Sequence, residues 1–250
     1  MSGHNKWSTI KHKKGRADAV RGRVFTKIIR EIVVAARMGG GDPEANPRLR
    51  TALNGARAQN MPKTTYDRAI AKGTGDLDGV NYEDITYEGY GPGGMAILVE
   101  TLTDNRNRTI SEVRHAFSRG GGNMATPGAV SYLFSQVGQI QVTKGDMDED
   151  ELMMAALEAG ATDIDGANDD WTLTTDPGQV EQVREQLEAA GIDVQEAEVA
   201  QVASLTVELS GEDAMKAMRL IERLDDLEDV QHVWSNFDID DETAAALENE

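Results

Sequence analysis

Apolar residues keep a helical period up to Gly75 and take up strand periods only beyond it, and no single class of secondary structure satisfies both. Val20, Val24, Ile28 and Ile32 recur every four positions with Phe25, Ile29 and Val33 beside them, which is the broad stripe of an amphipathic helix. Past Gly75 the spacing shortens to that of strands, as in Met95 to Leu102 and again through Val130, Tyr132, Phe134, Val137, Ile140 and Val142. The fold class is therefore α+β, helical first and sheet-forming afterwards.

The helical part reads as three segments. The first runs from Ala17 to Met38 and ends at Gly39-Gly40-Gly41, which supply a C-cap and a turn. Asn46-Pro47 opens the second, with Asn as N-cap and Pro at the first helical position. A third follows Met61-Pro62, carries Tyr66 and Ile70, and is expected to break at Gly73 and Gly75.

Beyond it, Tyr82 to Gly89 and Met95 to Leu102 flank Gly91-Pro92-Gly93-Gly94 as a hairpin, and a helix over 109–119 closes at Gly120-Gly121-Gly122. Residues 133–202 run strand, helix, two strands, helix, strand, the β-α-β-β-α-β order of a ferredoxin-like sandwich. The last strand, helix and strand (204–209, 211–224, 230–237) are too few to stand alone. Joined to the hairpin and helix before the insertion, they complete a second α/β sandwich. The expected layout is a helical domain at 1–75, a discontinuous domain at 76–132 and 203–240, an inserted domain at 133–202 and an acidic tail at 241–250.

Charge is divided along the same line. Residues 1–75 hold 16 Lys and Arg against 5 Asp and Glu, whereas the whole 250-residue chain carries −19. Charge acts over about one Debye length, roughly 8 Å at physiological salt, so a basic segment can hold a polyanion that the rest of the chain repels. The arm contributes Lys6, Lys11, Lys13, Lys14 and Arg16, with Trp7 and His12 among them. The first helix adds Arg21, Arg23, Lys27, Arg30 and Arg37. These are the candidate phosphate contacts; Trp7 and Ile10 also suit an arm that packs back on the helices. No zinc-finger, basic-zipper or RNP pattern that would read bases is present.

Other chemistries are poorly supported. The chain has no cysteine, which excludes disulfides, zinc ribbons, iron–sulfur sites and thiol nucleophiles and fits a cytoplasmic protein. No apolar run reaches the roughly 20 residues of a membrane helix, and the N-terminus lacks the apolar stretch of a secretory signal. His4, His12, His115 and His232 show no metal-ligand spacing, and no triad or carboxylate pair stands out, so no metal, cofactor, small-molecule substrate or catalytic residue is expected. The run Asp146 to Glu151 starts like a calcium loop but has Glu151 where Gly is needed, and reads as a turn favouring the following helix N-terminus. Arg106 and Arg108, before a helix in the acidic half, are a second anion contact or a loop with capping residues.

The residues Gly3-His4-Asn5-Lys6-Trp7, Met38-Gly39-Gly40-Gly41-Asp42-Pro43, Asn46-Pro47-Arg48-Leu49-Arg50, Tyr87 to Gly94 and Thr103 to Thr109 resemble the YebC/PmpR family over nearly the full chain. The resemblance implies three domains: a helical N-terminal domain and two ferredoxin-like α/β sandwich domains, one inserted into the other. It implies control of gene expression, as a DNA-binding transcriptional regulator or as a ribosome-associated translation factor that binds ribosomal RNA and relieves stalling. In the second case Met38 and Gly39 to Gly41 are a loop for close approach to RNA, set against a plain helix C-cap. A scaffold recruiting protein partners through its acidic domains is a further alternative.

Overall fold

The computed structural model describes residues 18–78, 80–167, 170–240 and 243. They fall in two compact units, 18–132 with 205–240, and Leu133–Ser204.

The discontinuous unit begins with helices α1 (Asp18–Gly39), α2 (Pro47–Ala58) and α3 (Lys63–Thr74). Their shared core holds Ile32, Val33, Ala36, Leu49, Leu53 and Ala69, all buried. Asn46 ties two helix ends together: its Oδ1 accepts from the Leu49 amide at 3.1 Å, and its Nδ2 donates to the Ala35 and Gly40 carbonyls at 2.8 Å each. Gly73 does not break α3 as its sequence suggests. It lies within the helix, where a Cβ would stand 2.5 Å from the Val33 carbonyl oxygen, so it lets α3 press against α1.

Strands β1 (Glu83–Tyr90) and β2 (Ala96–Thr103) form an antiparallel hairpin across the Pro92–Gly94 turn, followed by α4 (Arg106–Arg119) and β3 (Asn123–Met124). After the insertion come β8 (Val207–Leu209), α7 (Gly211–Asp225), β9 (Val230–Ser235) and β10 (Phe237–Ile239). The main sheet has the order β3-β1-β2-β9, and α4 and α7 cover one face through Val113, Phe117, Leu220 and Leu224 over Ile97 and Val99. One detail departs from expectation: β8 does not join this sheet but pairs in parallel with β10. The cause is buried Asn236 between β9 and β10. Its Oδ1 accepts from the Ala96 amide at 2.7 Å and its Nδ2 donates to the Leu205 carbonyl at 3.0 Å, ending one sheet and starting the other.

The second unit holds β4 (Phe134–Thr143), α5 (Glu149–Ala159), β5 (Asp163–Ala167), β6 (Asp170–Thr175), α6 (Val180–Ala189) and β7 (Asp193–Ala203). Its antiparallel sheet has the order β5-β6-β4-β7, the ferredoxin-like arrangement. Alternate residues Ile140 and Val142 of β4 meet Leu152, Ala156, Val183 and Leu187 of the two helices. Asp148 caps α5 by accepting from the Asp150 amide at 3.0 Å, and Glu149, Asp150 and Glu151 occupy its first turn, where carboxylates meet the positive end of the helix.

Candidate nucleic-acid interface

The arm residues Lys6, Trp7, Lys11, His12, Lys13, Lys14 and Arg16 lie outside the described residues, as does the side chain of Arg21. The remaining candidates on α1 are placed, and most are already occupied by acids of the same chain.

Arg23, Lys27 and Arg30 recur at intervals of four and three and so share one edge of α1. The segment after α7 answers them. Arg23 pairs with Asp226; Lys27 donates to Asp225 at 2.9 Å; Arg30 donates to Glu228 at 2.6 Å and to Asp229 at 3.0 Å. The Arg23 pair is exposed and contributes little stability. Arg30 is different: its side chain is 7% exposed, that of Asp229 is 1% exposed, and the guanidinium also lies 5.6 Å from the Tyr82 ring centroid. Arg30 thus holds the helical region onto the sheet region, and its burial leaves no face for a phosphate, which corrects the role expected from its sequence.

Asp229 gathers more donors. Arg108 Nη2 approaches its two carboxylate oxygens at 2.8 and 2.7 Å, Thr109 Oγ1 donates at 2.6 Å and Thr103 Oγ1 lies at 3.2 Å. Burial pushes this carboxyl's pKa up, but the hydrogen bonds from Thr109 and Arg108 and the charges of Arg108 and Arg30 outweigh it and hold the group below its ordinary value. Arg108 also pairs with Asp104 at 2.8 Å, and these partners raise its own pKa. Of the two readings of this segment, an anion contact or a capping loop, the loop caps α4, with Asn105 accepting from the Arg108 amide at 3.1 Å; both arginines are exposed, and the Arg108 side chain is engaged by Asp229 and Asp104.

The Gly-rich loop is built from both ends. Gly40 has φ +85° and its amide donates to the Ala36 carbonyl at 2.9 Å, which closes the helix as a C-cap does. Met38 is 71% exposed beside it, and a Cβ on Gly40 would meet nothing within 4 Å. Arg37 is exposed and donates to the Val80 carbonyl at 3.0 Å. On α2, Arg48 is spent on Glu31 and Asp84. Exposed cations of the helical region include Arg57, Lys63 and Arg68.

Two sequence-silent groups stand out. The first is the acidic segment Asp225 to Asp229, whose spacing complements Arg23, Lys27 and Arg30 but whose distance in sequence hides the match. The second is Glu88, a buried carboxylate in β1 that accepts from the amides of Gly128 at 2.6 Å, Val130 at 2.7 Å and Ser131 at 2.9 Å. Burial alone raises its pKa, and the backbone hydrogen bonds more than reverse this, leaving it lowered. Among the described residues no group of His, Asp and Glu could hold a metal ion, and no helix is long and apolar enough to cross a membrane. His232 stacks on Trp234 with ring centroids 5.3 Å apart.

A cationic helical region joined to two acidic α/β sandwiches defines a class of multidomain α+β protein with a polarised charge. Residues 5–76 match the family described as the TACO1/YebC protein N-terminal domain, and residues 82–237 match the TACO1/YebC second and third domain. The chain belongs to the TACO1/YebC family. It is 56% identical over 242 residues to a "Probable transcriptional regulatory protein" of Desulfatibacillum aliphaticivorans, covering 97% of this chain and 98% of that one. It is 54% identical over 247 residues to one of Geobacter sulfurreducens bearing the same description, covering 99% and 100%. Among solved structures, a conserved hypothetical protein of Aquifex aeolicus superposes with a TM-score of 0.85 at 46% identity, covering 94% of this chain and 97% of that one.

Proposed function

We propose that the chain is a non-enzymatic, cytoplasmic, nucleic-acid-binding regulator of gene expression, a DNA-binding transcriptional regulator of the kind its relatives are named for. The observation that carries this reading is the separation of charge: residues 1–16 contain five Lys and Arg and no acid, in a chain of net charge −19. Because α1 shares its cations with Asp225 to Asp229, the arm carries the larger part of the phosphate contact. Counterion release supplies sequence-independent affinity.

The test uses the full chain, since residues 1–75 alone lack the acids that Arg23, Lys27 and Arg30 engage. Lys11→Ala/Lys13→Ala/Lys14→Ala is expected to weaken duplex-DNA binding at least tenfold at 150 mM salt. It is also expected to flatten the slope of log K against log[salt] by about 2 to 3. An unchanged slope removes the arm from the interface.

The exposed Met38 and the open space at Gly40 favour a second reading, a translation factor whose loop approaches ribosomal RNA. Gly40→Asn places the L-residue that best tolerates the left-handed region at φ +85°, so the fold is expected to survive with a small fall in melting temperature. On this reading the added side chain costs at least tenfold in ribosome co-sedimentation. Full retention of ribosome binding argues for a simple cap.

A further inference from the structure

Residues 76–250 contain nine Lys and Arg, and seven of them fall on two helices, α4 and α7. These helices lie side by side on one face of the sheet. A Cβ at Gly120 would stand 2.6 Å from Leu220 Cδ1, which sets the C-terminal end of α4 against the middle of α7. Arg108 at the start of α4 reaches Asp229 just beyond the end of α7, so the two helices run antiparallel along a common seam.

The cations are not scattered around the helices. At 3.6 residues per turn, Lys216, Arg219 and Arg223 share an arc of about 60° on the solvent side of Leu220. On α4, Arg108, His115 and Arg119 share an arc of about 40° beside buried Ala116, on the edge that Arg108 turns toward Asp229. Lys216 is occupied by Glu212 at 2.9 Å, and Glu112 is the acid on this edge of α4, half-buried. Arg119, Arg219 and Arg223 are all exposed. Helix-dipole compensation accounts for a cation in a last turn, as with Arg119 and Arg223. It does not account for Arg219, which lies more than a turn before the end of α7.

We infer that the seam between α4 and α7 is a second phosphate-binding surface, on which Arg119, Arg219 and Arg223 engage the backbone of a nucleic acid. The inference rests on the nucleic-acid reading above and extends it to a part of the chain that is otherwise acidic. Arginine suits the task, since its exposed fork can take a phosphate bidentately without any reshaping of the backbone. Local cations work within an acidic protein because screening limits repulsion from distant carboxylates to about 8 Å.

The probes are a 30-base-pair DNA duplex and a single-stranded RNA of the same length, each bound to the full chain across a salt series. Arg119→Ser/Arg219→Ser/Arg223→Ser removes three positive charges from exposed positions. Gln136→Glu/Gln182→Glu/Gln186→Glu changes the net charge equally at exposed positions of the other unit. The arginine variant is expected to weaken at least one probe tenfold or more and to lower its salt slope by about 2 to 3, with the glutamate variant near wild type. If the two variants bind alike, net charge alone is responsible and the seam is not a site. If the Lys11/Lys13/Lys14 variant loses binding while the arginine variant keeps it, the seam is overturned and the arm reading stands. Absence of binding by the wild-type chain overturns both.

Discussion

Asp229→Ala is expected to destabilise the protein by about 3–5 kcal/mol, because it strands Arg30 as a buried cation deprived of its buried acid. The carboxylate is the meeting point of Arg30, Arg108, Thr103 and Thr109, and its own backbone carbonyl accepts from the Leu102 amide at 2.9 Å, so the local chain path survives the substitution while the charge balance does not. Urea denaturation of the variant reads the loss as a lower midpoint. Arg30→Met combined with Asp229→Asn should lose less than the sum of the two single variants, since each change removes a charge that the other leaves unmatched. Additivity of the pair would show that the two residues are not coupled. The pH dependence follows in sign. The folded pKa lies below the unfolded value of about 3.9, so the stabilisation is complete above that value and is lost as pH falls through the folded pKa. Asp229→Asn should therefore flatten the acid limb of the stability profile.

Glu88→Ala is expected to cost about 1–3 kcal/mol and to loosen the loop that precedes the inserted unit. Three backbone amides lose their acceptor at once, and the Val130 amide lies in a buried residue, where water is a poor substitute. Hydrogen exchange should accelerate at Gly128, Val130 and Ser131 and remain unchanged in α2. Equal protection in wild type and variant would mean that the loop is held by other contacts, such as the 3.0 Å bond from the Tyr90 hydroxyl to the Ala129 carbonyl. Glu88 also has a lowered pKa, so its stabilisation is likewise present above the ordinary glutamate range and lost on acidification below it.

Local features of the fold were legible because local physics determines them. The four-residue stripe of α1, the Asn46-Pro47 start of α2, the hairpin across Gly91 to Gly94 and the order of elements in 133–202 each depend on neighbours in sequence. The parallel pairing of β8 with β10 was not legible, because it depends on the Asn236 side chain reaching Ala96, 140 residues away. Composition disclosed the sign of the charge on α1 but not its partner. Arg23, Lys27 and Arg30 look the same whether they face phosphates or carboxylates, and only the fold brings Asp225 to Asp229 to them. Gly73 was misread for a related reason: a glycine that ends a helix and one that admits a second helix have the same local sequence.

The pairing of Arg30 with Asp229 spans 199 residues, and that span gives the chain a schedule as well as a shape. During synthesis α1 emerges early, while its matching carboxylate arrives only after α7 has been made. At about 5–20 residues per second this leaves an interval of roughly 10–40 seconds in which the cationic edge of α1 has no acid of its own chain to meet. Within that interval the nascent chain passes from basic to acidic, because residues 1–75 hold 16 Lys and Arg against 5 Asp and Glu while the remainder brings the total to −19, so the edge of α1 meets its own carboxylates only after the chain as a whole has changed sign.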